Sequence, residues 1–474
     1  MRDKYFRRLD GGVVHGCGCN HLGVLVHDVS FASRARAQDT GSTRFLTAQC
    51  SDPRHRPKLS GIRGLSRSGS TRTRQERTMP HRIVVLGAGY AGAFSAGYLA
   101  RQLHSDDFEI TVINAEPDFV ERLRLHQLAA GHDLRHRPLA EVFAGTGIRL
   151  RLARITSVDA AHKTVTIDDG NGIDRIEYDT LLYALGSTAA DHGVAGVAEH
   201  AFHVAQRPAA LRLRARLDEL GEGGMMLVVG GNLTAIETAI EIAEARPGLE
   251  VSLATSGELG GWLGPKARRH LLRAFDRFDI TVHEHTTIAR VEKQGAIAAD
   301  GTAFASDATV WAAGFTVHPI AAASGFEVMP NGQIRVDRQM RSVSHPEVYV
   351  AGDSAFIIGE NGHPLPMSCA SAGYTSAQAT AAIIGDRTGR KIKATALTYI
   401  GNHISLGRKD AIFQLVDDDA RAKPGALCGR SAAWIKSAIV ATSGWAISHP
   451  TMGKPSHKYH SAAAREHSPE LVAR

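Results

Sequence analysis

RIVVLGAGYAGAFSAGY, residues 82–98, is the stretch that decides the fold. Ile83 to Leu86 is a short aliphatic strand. Gly87, Gly89 and Gly92 follow at G-x-G-x-x-G spacing, and small residues continue a helix to about Leu103. Gly87 permits the tight turn out of the strand, and Gly92 lets helix and strand pack closely. Gly89, with Tyr90 and Ala91, forms the helix N-terminus, where backbone N–H groups and the helix dipole face an anion such as a pyrophosphate. The glycine pattern is weak evidence alone, but its place between a strand and a helix is the context that gives it meaning.

The next strand, FEITVIN, ends at Asn114, 22 residues beyond Gly92. An acid usually stands there to accept hydrogen bonds from ribose hydroxyls. Here the contact is expected from Asn114 or from Glu116 two residues on. Residues 148–178 then alternate in three short stretches separated by turn residues, which predicts a β-meander, and Thr180 to Leu185 reads as a buried strand closed by Gly186.

A second unit follows. MLVVGGNLTAIETA, residues 226–239, repeats the strand–loop–helix order with Gly230, Gly231, Asn232 and Leu233 in the turn and Ala235 at the third glycine slot. Asn232 stands where the second glycine is expected, and its side chain is expected to intrude toward a pyrophosphate. LEVSLAT, a helix beginning at Pro265, and ITVHEH complete a small doubly wound domain. The strand LEVSLAT ends at Ala254 and Thr255 with no acid for a 2′-hydroxyl, so NADH is not clearly preferred over NADPH. Beyond it, DATVWAAGF (Asp307 to Phe315) echoes DTLLYALGS (Asp179 to Ser187), each ending in Ala-x-Gly at Gly314 and Gly186, and HPEVYVAGDSA places a strand before Gly352 and Asp353.

Bulk properties bound the function. A chain of 474 residues exceeds one core, and 43% hydrophobic with 22% charged residues is ordinary for a globular protein. The net charge of +7 is unevenly placed: residues 1–78 hold 15 Lys/Arg and 6 Asp/Glu, leaving 40 against 42 in the remainder. The body therefore gives no case for nucleic-acid binding. Ser66 to Thr78 is Arg/Ser-rich without apolar period, so residues 1–78 are expected to be a disordered basic extension, either a mis-called extension ahead of a native start at Met79 or a disordered tail. A transit peptide is the functional alternative, against which the six acids count. His15, Cys17, Cys19 and His21 lack a second ligand cluster, so no metal site is expected. Five cysteines make no disulfide framework, and reduced thiols in the cytoplasm are the natural reading. His283 and His285 share one face of a strand but have no third ligand.

FVERLRLHQLAAG, YDTLLYALGS, VVGGNLTAIETAIEIA, WAAGF and VYVAGDSA, in this order, resemble the two-dinucleotide-binding flavoproteins of the pyridine nucleotide–disulfide oxidoreductase superfamily. Within it they look most like type II NADH dehydrogenases, over roughly residues 81–440. The resemblance implies an α/β fold with an FAD-binding Rossmann-like domain (79–195 and 305–390) and an inserted second, NAD(P)-binding Rossmann-like domain (196–304). A C-terminal segment (391–474) would serve interface or membrane-surface contact. It implies FAD on the first loop, with Gly186, Gly314, Gly352, Asp353, Cys369 and Ala370 also at the cofactor and Asp353 holding its ribityl chain or pyrophosphate. It implies NAD(P)H as co-substrate on the inserted unit, with Glu237 beside the nicotinamide, orienting it or relaying a proton; a solvated helix carboxylate is the bland alternative. His126, in the stretch that approaches the flavin, would tune it.

The acceptor implied is a quinone or another small molecule. Disulfide reductases and sulfide:quinone reductases need paired cysteines, and Cys369 stands alone. Ala370 and Tyr374 occupy the positions of the glutamines that line the family's quinone pocket, which also leaves open a ferredoxin-reductase-like electron transfer. A flavin- and nucleotide-binding sensor or scaffold without turnover is the reading from another class. Ser431 to Ile447, with Trp434 and Trp445 on one helical face and Lys436 marking a polar side, resembles a peripheral membrane anchor on the cytoplasmic face; a core-packing helix is the alternative. A homodimer is compatible with the resemblance.

Overall fold

The computed structural model describes residues 79–392, 394–417, 421–451 and 458–467. The basic segment 1–78, with His15, Cys17, Cys19 and His21, lies outside the described residues.

The first sheet grows around β1 (His81–Leu86), whose Ile83 to Leu86 are fully buried. Helix α1 (Tyr90–Gln102) returns the chain to β2 (Phe108–Asn114), parallel to β1 with Leu86 opposite Ile113. A short helix α2 (Leu125–Ala130) leaves the sheet, and β3 (Arg149–Leu152) returns as its parallel edge beside β2. The meander itself is Arg154–Asp159, Thr164–Asp168 and Ile173–Glu177, all antiparallel. The first residues of the expected meander, 149–152, thus belong to the main sheet, because their ladder runs to Thr111–Asn114. Strand β4 (Thr180–Tyr183), wholly buried, flanks β1 on its other side.

The chain then enters a second parallel sheet. Helix α3 (Arg207–Glu219) precedes β5 (Met225–Val229), α4 (Leu233–Ala245), β6 (Glu250–Ala254), α5 (Pro265–Arg277), β7 (Thr281–His283) and β8 (Ala308–Trp311). The strand order is β7-β6-β5-β8. Helix α4 packs because Ala235, Ile236, Ala239, Ile240 and Ala243 recur at helical spacing and are buried. The expected domain boundary at 304 is corrected here. Strand β8 echoes β4 in sequence, yet it pairs with β5, Trp311 opposite Val229, so the insert extends through Trp311.

The first sheet is completed by β9 (Val348–Val350) against β4, giving β9-β4-β1-β2-β3. Helix α6 (Cys369–Thr388) lies against α1, close enough for Ser376 Oγ to donate to Ala91 O at 3.4 Å, because small residues line both helices. The C-terminal segment forms an antiparallel sheet, β10 (Gly401–Ser405), β11 (Ala411–Val416) and β12 (Ala422–Cys428), and then helix α7 (Arg430–Ser448).

Gly92 sets how closely α1 meets β1: a Cβ there would lie 1.9 Å from Gly87 O. Gly92→Val is therefore expected to lower stability by at least about 2 kcal/mol. Denaturant unfolding of the variant beside the wild type measures it; an unchanged midpoint would contradict this packing.

Candidate functional site

The first loop is an open cradle. Gly87 has φ +91°, and a Cβ there would lie 2.6 Å from Ala184 O. At Gly89 a Cβ would meet nothing within 4 Å, so this face of the turn is open. Gly89 caps α1 without a side-chain hydrogen bond. Tyr90 sits edge-on to Phe119 at 5.0 Å, and Ala91 packs on Gly352, whose Cβ position is 3.0 Å from Ala91 Cβ. Thus the turn carrying Asp353 borders the first turn of α1.

Asn114 has a structural task at this loop. Its Oδ1 accepts from Ala88 N–H at 2.8 Å, and its Nδ2 donates to Glu116 O at 2.7 Å. Of the two candidates for a ribose, Glu116 is the one whose side chain is not bracing the loop.

Asp353 belongs to a relay that the sequence reading missed. Ser187 Oγ donates to its carboxylate at 2.6 Å. Arg122 donates to Ser187 O and Ser187 Oγ, both at 2.8 Å, and lies 3.5 Å from the carboxylate. The guanidinium also covers the Phe315 ring at 4.9 Å, and burial pulls its pKa down against the attraction of Asp353. Arg122 lies inside FVERLRL, so the signal was present, but nothing local distinguished it from Arg124. Gly186 and Gly314, both with positive φ, turn the chain at the ends of β4 and β8.

The second loop differs. Asn232 does not project into its turn as expected. Its Oδ1 caps α4 by accepting from Ala235 N–H at 3.1 Å, and its Nδ2 donates to Ala312 O at 2.9 Å. A capping Asn is a strong N-terminal residue, so the substitution has a local reason. It also occupies one helix N–H that α1 leaves uncapped. Gly230 and Gly231 lie against Ala312 and Thr255, and the Trp262 indole donates to Gly231 O at 3.2 Å. Leu233 opens the helix.

Glu237 is not a solvated helix carboxylate. Its side chain is 11% exposed, forms an ion pair with Lys436 of α7, and accepts from Ser405 N–H at 2.8 Å. Burial pushes its carboxyl up, but Lys436, His126 and the Ser405 amide together hold it below the usual value. Lys436, read as marking the polar side of its helix, instead points inward and also donates to His403 O at 3.1 Å. His126 is buried and held down to about 4, mainly by burial, as is His403. One turn further along α4, Glu241 is 1% exposed, with His132 Nε2 at 3.3 Å and Arg408 at 3.5 Å. Burial raises its carboxyl to about 7. Arg408 N–H donates to Glu244 at 2.7 Å, so three glutamates of α4 all meet the C-terminal segment or the turn after α2.

Helix α7 buries Ala432, Gly444 and Ile447, and exposes Trp434, Ile439 and Trp445. Its far end is fixed where Arg137 Nε donates to Ser448 Oγ at 3.1 Å and where Gly97 meets Pro450. Cys369, in the first turn of α6, is a free thiol open to solvent on one side; the protein around its sulfur pushes its pKa up, so it is not an activated nucleophile. Ala370 and Tyr374 are half-buried nearby. His283 ends β7 and packs on Phe304 at 4.8 Å, while His285 lies past the strand with φ +53°, so the two do not share a strand.

Two glycine-bearing strand–turn–helix loops open helices on two parallel sheets, and the comparisons place the chain in a family. Residues 81–379 match the pyridine nucleotide-disulphide oxidoreductase family, and the chain belongs to it. It is 26% identical over 357 residues to an NADH dehydrogenase-like protein of Mycobacterium tuberculosis, covering 70% of this chain and 87% of that one. It is 26% identical over 404 residues to a type II NADH:quinone oxidoreductase of Staphylococcus haemolyticus, covering 76% and 94%. Among solved structures, NDH2 of Plasmodium falciparum in complex with NADH superposes with a TM-score of 0.65 at 14% identity, covering 79% of this chain and 98% of that one.

The buried charges make opposite pH predictions. Lys436→Met leaves the Glu237 carboxylate buried without its cation, expected to cost about 3–5 kcal/mol near neutrality. Because the wild-type Glu237 pKa is depressed from 4.5, the stability it brings is complete above about pH 4.5 and is lost as pH falls further, while the variant's unpaired carboxyl is pushed up by burial, so the deficit grows from acid toward neutrality. Glu241→Gln acts in the other direction. The wild-type group has its pKa raised from 4.5 to about 7, so its contribution is retained below the lower value and lost as pH rises through the upper one. The variant should gain about 1–3 kcal/mol on the wild type across that interval. Unfolding midpoints at pH 4 to 8 measure both.

Proposed function

We propose that the chain is an FAD-dependent NAD(P)H dehydrogenase that passes electrons to a quinone or another small acceptor. The observation that carries the reading is the first cradle: an uncapped α1, an open Gly89 and the Asp353 turn at one end of the sheet, in a chain of this family. These residues suit FAD, with Gly87, Gly89, Tyr90, Ala91 and Gly92 at the pyrophosphate, Glu116 rather than Asn114 at the ribose, and Asp353, steadied by Ser187 and Arg122, at the ribityl chain. Gly186, Gly314, Gly352, Cys369 and Ala370 would line the same cofactor. Gly230, Gly231, Asn232 and Leu233 would hold NAD(P)H. The bound flavin would accept hydride from the nicotinamide and donate electrons to the acceptor. Glu237 would stand at the nicotinamide, kept ionised by Lys436 so that it can orient the carboxamide or take up a proton.

Trp434, Ile439 and Trp445 on the outer face of α7 support contact with a bilayer interface. Among the described residues no helix is long and apolar enough to cross a membrane. Ala370 and Tyr374 carry no side-chain amide for a quinone, and this favours, as a second reading, a soluble electron carrier as acceptor.

Anaerobic mixing of the purified protein with NADH or NADPH should bleach the visible flavin absorbance, and a quinone analogue or ferredoxin should restore it, naming the acceptor class. Flavin that stays oxidised with both nucleotides would contradict a dehydrogenase. Asn232→Gly, which costs a helix only a few tenths of a kcal/mol and releases Ala235 N–H, should tighten NAD(P)H binding about 2- to 10-fold in a fluorescence titration.

A further inference from the structure

Glu241 has no role in that reading, and its surroundings ask for one. It lies one turn along α4 from Glu237, so the two carboxyl-bearing side chains are neighbours on one face, about 5–6 Å apart at Cβ. Its Oε1 meets His132 Nε2 at 3.3 Å and Arg408 at 3.5 Å, while its Oε2 is buried without a protein partner. The His132 side chain is 37% exposed and so reaches water. Inward, His126 on α2 carries a buried Nε2 that also lacks a protein partner, beside Glu237 and Lys436. A buried polar atom without a protein partner calls for water as its partner. The rest of the α2–α4 contact is apolar, with Leu125, Leu128, Ala129, Ile236 and Ile240 all buried. The charged groups around the Glu241–His132 pair are Glu237 and Glu244 on α4, Arg124 before α2, Arg214 on α3 and Arg408 in the turn after β10.

We propose that Glu241 and His132 form a proton-transfer branch joining the buried Glu237–Lys436 pair to solvent. The proposal rests on the dehydrogenase reading. Reduction of a hydrogen acceptor by NAD(P)H takes up one proton from water, and reduction of two one-electron carriers releases one. In either case a proton is exchanged between the redox site and water. Inward, the N–H bond of protonated His132 breaks as the O–H bond of Glu241 forms; the proton then leaves Glu241 for the Glu237 carboxylate, through water. No electrons travel along this branch, and neither residue needs to touch a nucleotide. Arg408 holds Glu241 Oε1 toward His132, which makes it a positioning residue. A carboxyl raised to about 7 exchanges protons readily near neutrality.

Infrared difference spectra of the holoprotein, stepped in pH through neutrality, should show a protonated-carboxyl band that titrates in the wild type and is missing from Glu241→Gln. That readout is independent of turnover. His132→Ala, at a half-open position that tolerates truncation, should lower steady-state turnover at least about 10-fold while anaerobic bleaching by NADH stays within about twofold, and added imidazole should restore turnover. A wild type without the titrating band, or bleaching with unchanged turnover in both variants, overturns the branch alone. Turnover lost in His132→Ala but not restored by imidazole overturns it as well. Absence of bleaching in the wild type overturns the dehydrogenase reading and the branch with it.

Discussion

The pairing of Lys436 with Glu237 is the constraint around which the site is arranged. It joins the last long helix, α7, to α4 of the inserted unit, across 199 residues of sequence. Two ions leave water to make it, and such a pair holds only where further hydrogen bonds satisfy both partners. The Ser405 amide and the His403 carbonyl supply those bonds. The C-terminal sheet therefore does more than extend the molecule: its first strand, β10, delivers two backbone groups to a charge that would otherwise be stranded. Glu241 and Glu244, which meet Arg408 side chain and backbone respectively, continue the same seam.

Much of the fold was legible in the sequence because its signals are local. An apolar strand, a turn that needs glycine and a helix of small residues follow one another within 17 residues at Arg82–Tyr98, and the structure reproduces each. The same holds for β5 and α4. The limits appear where pairing is remote. Ala308–Trp311 and Thr180–Tyr183 have nearly the same pattern, and only their partners, β5 in one case and β1 in the other, assign them to different sheets. No periodicity encodes that choice.

The candidate site divides in the same way. Gly87 and Gly92 were legible because backbone geometry demands glycine there, and Asp353 was named from its Gly-Asp pair and the family resemblance. Ser187 and Arg122 were not, since their importance comes from a carboxylate 166 residues after the serine. Asn232 was read as an obstruction because spacing says nothing about rotamer; its amide is tied to Ala235 and Ala312 instead. Lys436 was assigned to the outside on the general habit of lysines, a habit that fails when a buried anion waits opposite.

The seam of glutamates has a consequence for how the chain is made. Synthesis runs from the N-terminus, and domains generally settle as they emerge. The inserted unit is complete by Trp311, yet the cation that balances Glu237 arrives only with residue 436. Until then Glu237, Glu241 and Glu244 lie along one helix face as like charges without Lys436 or Arg408. On that order of synthesis the inserted unit emerges with α4 hydrated on that face, and its final packing waits for the C-terminal segment to fold back over it.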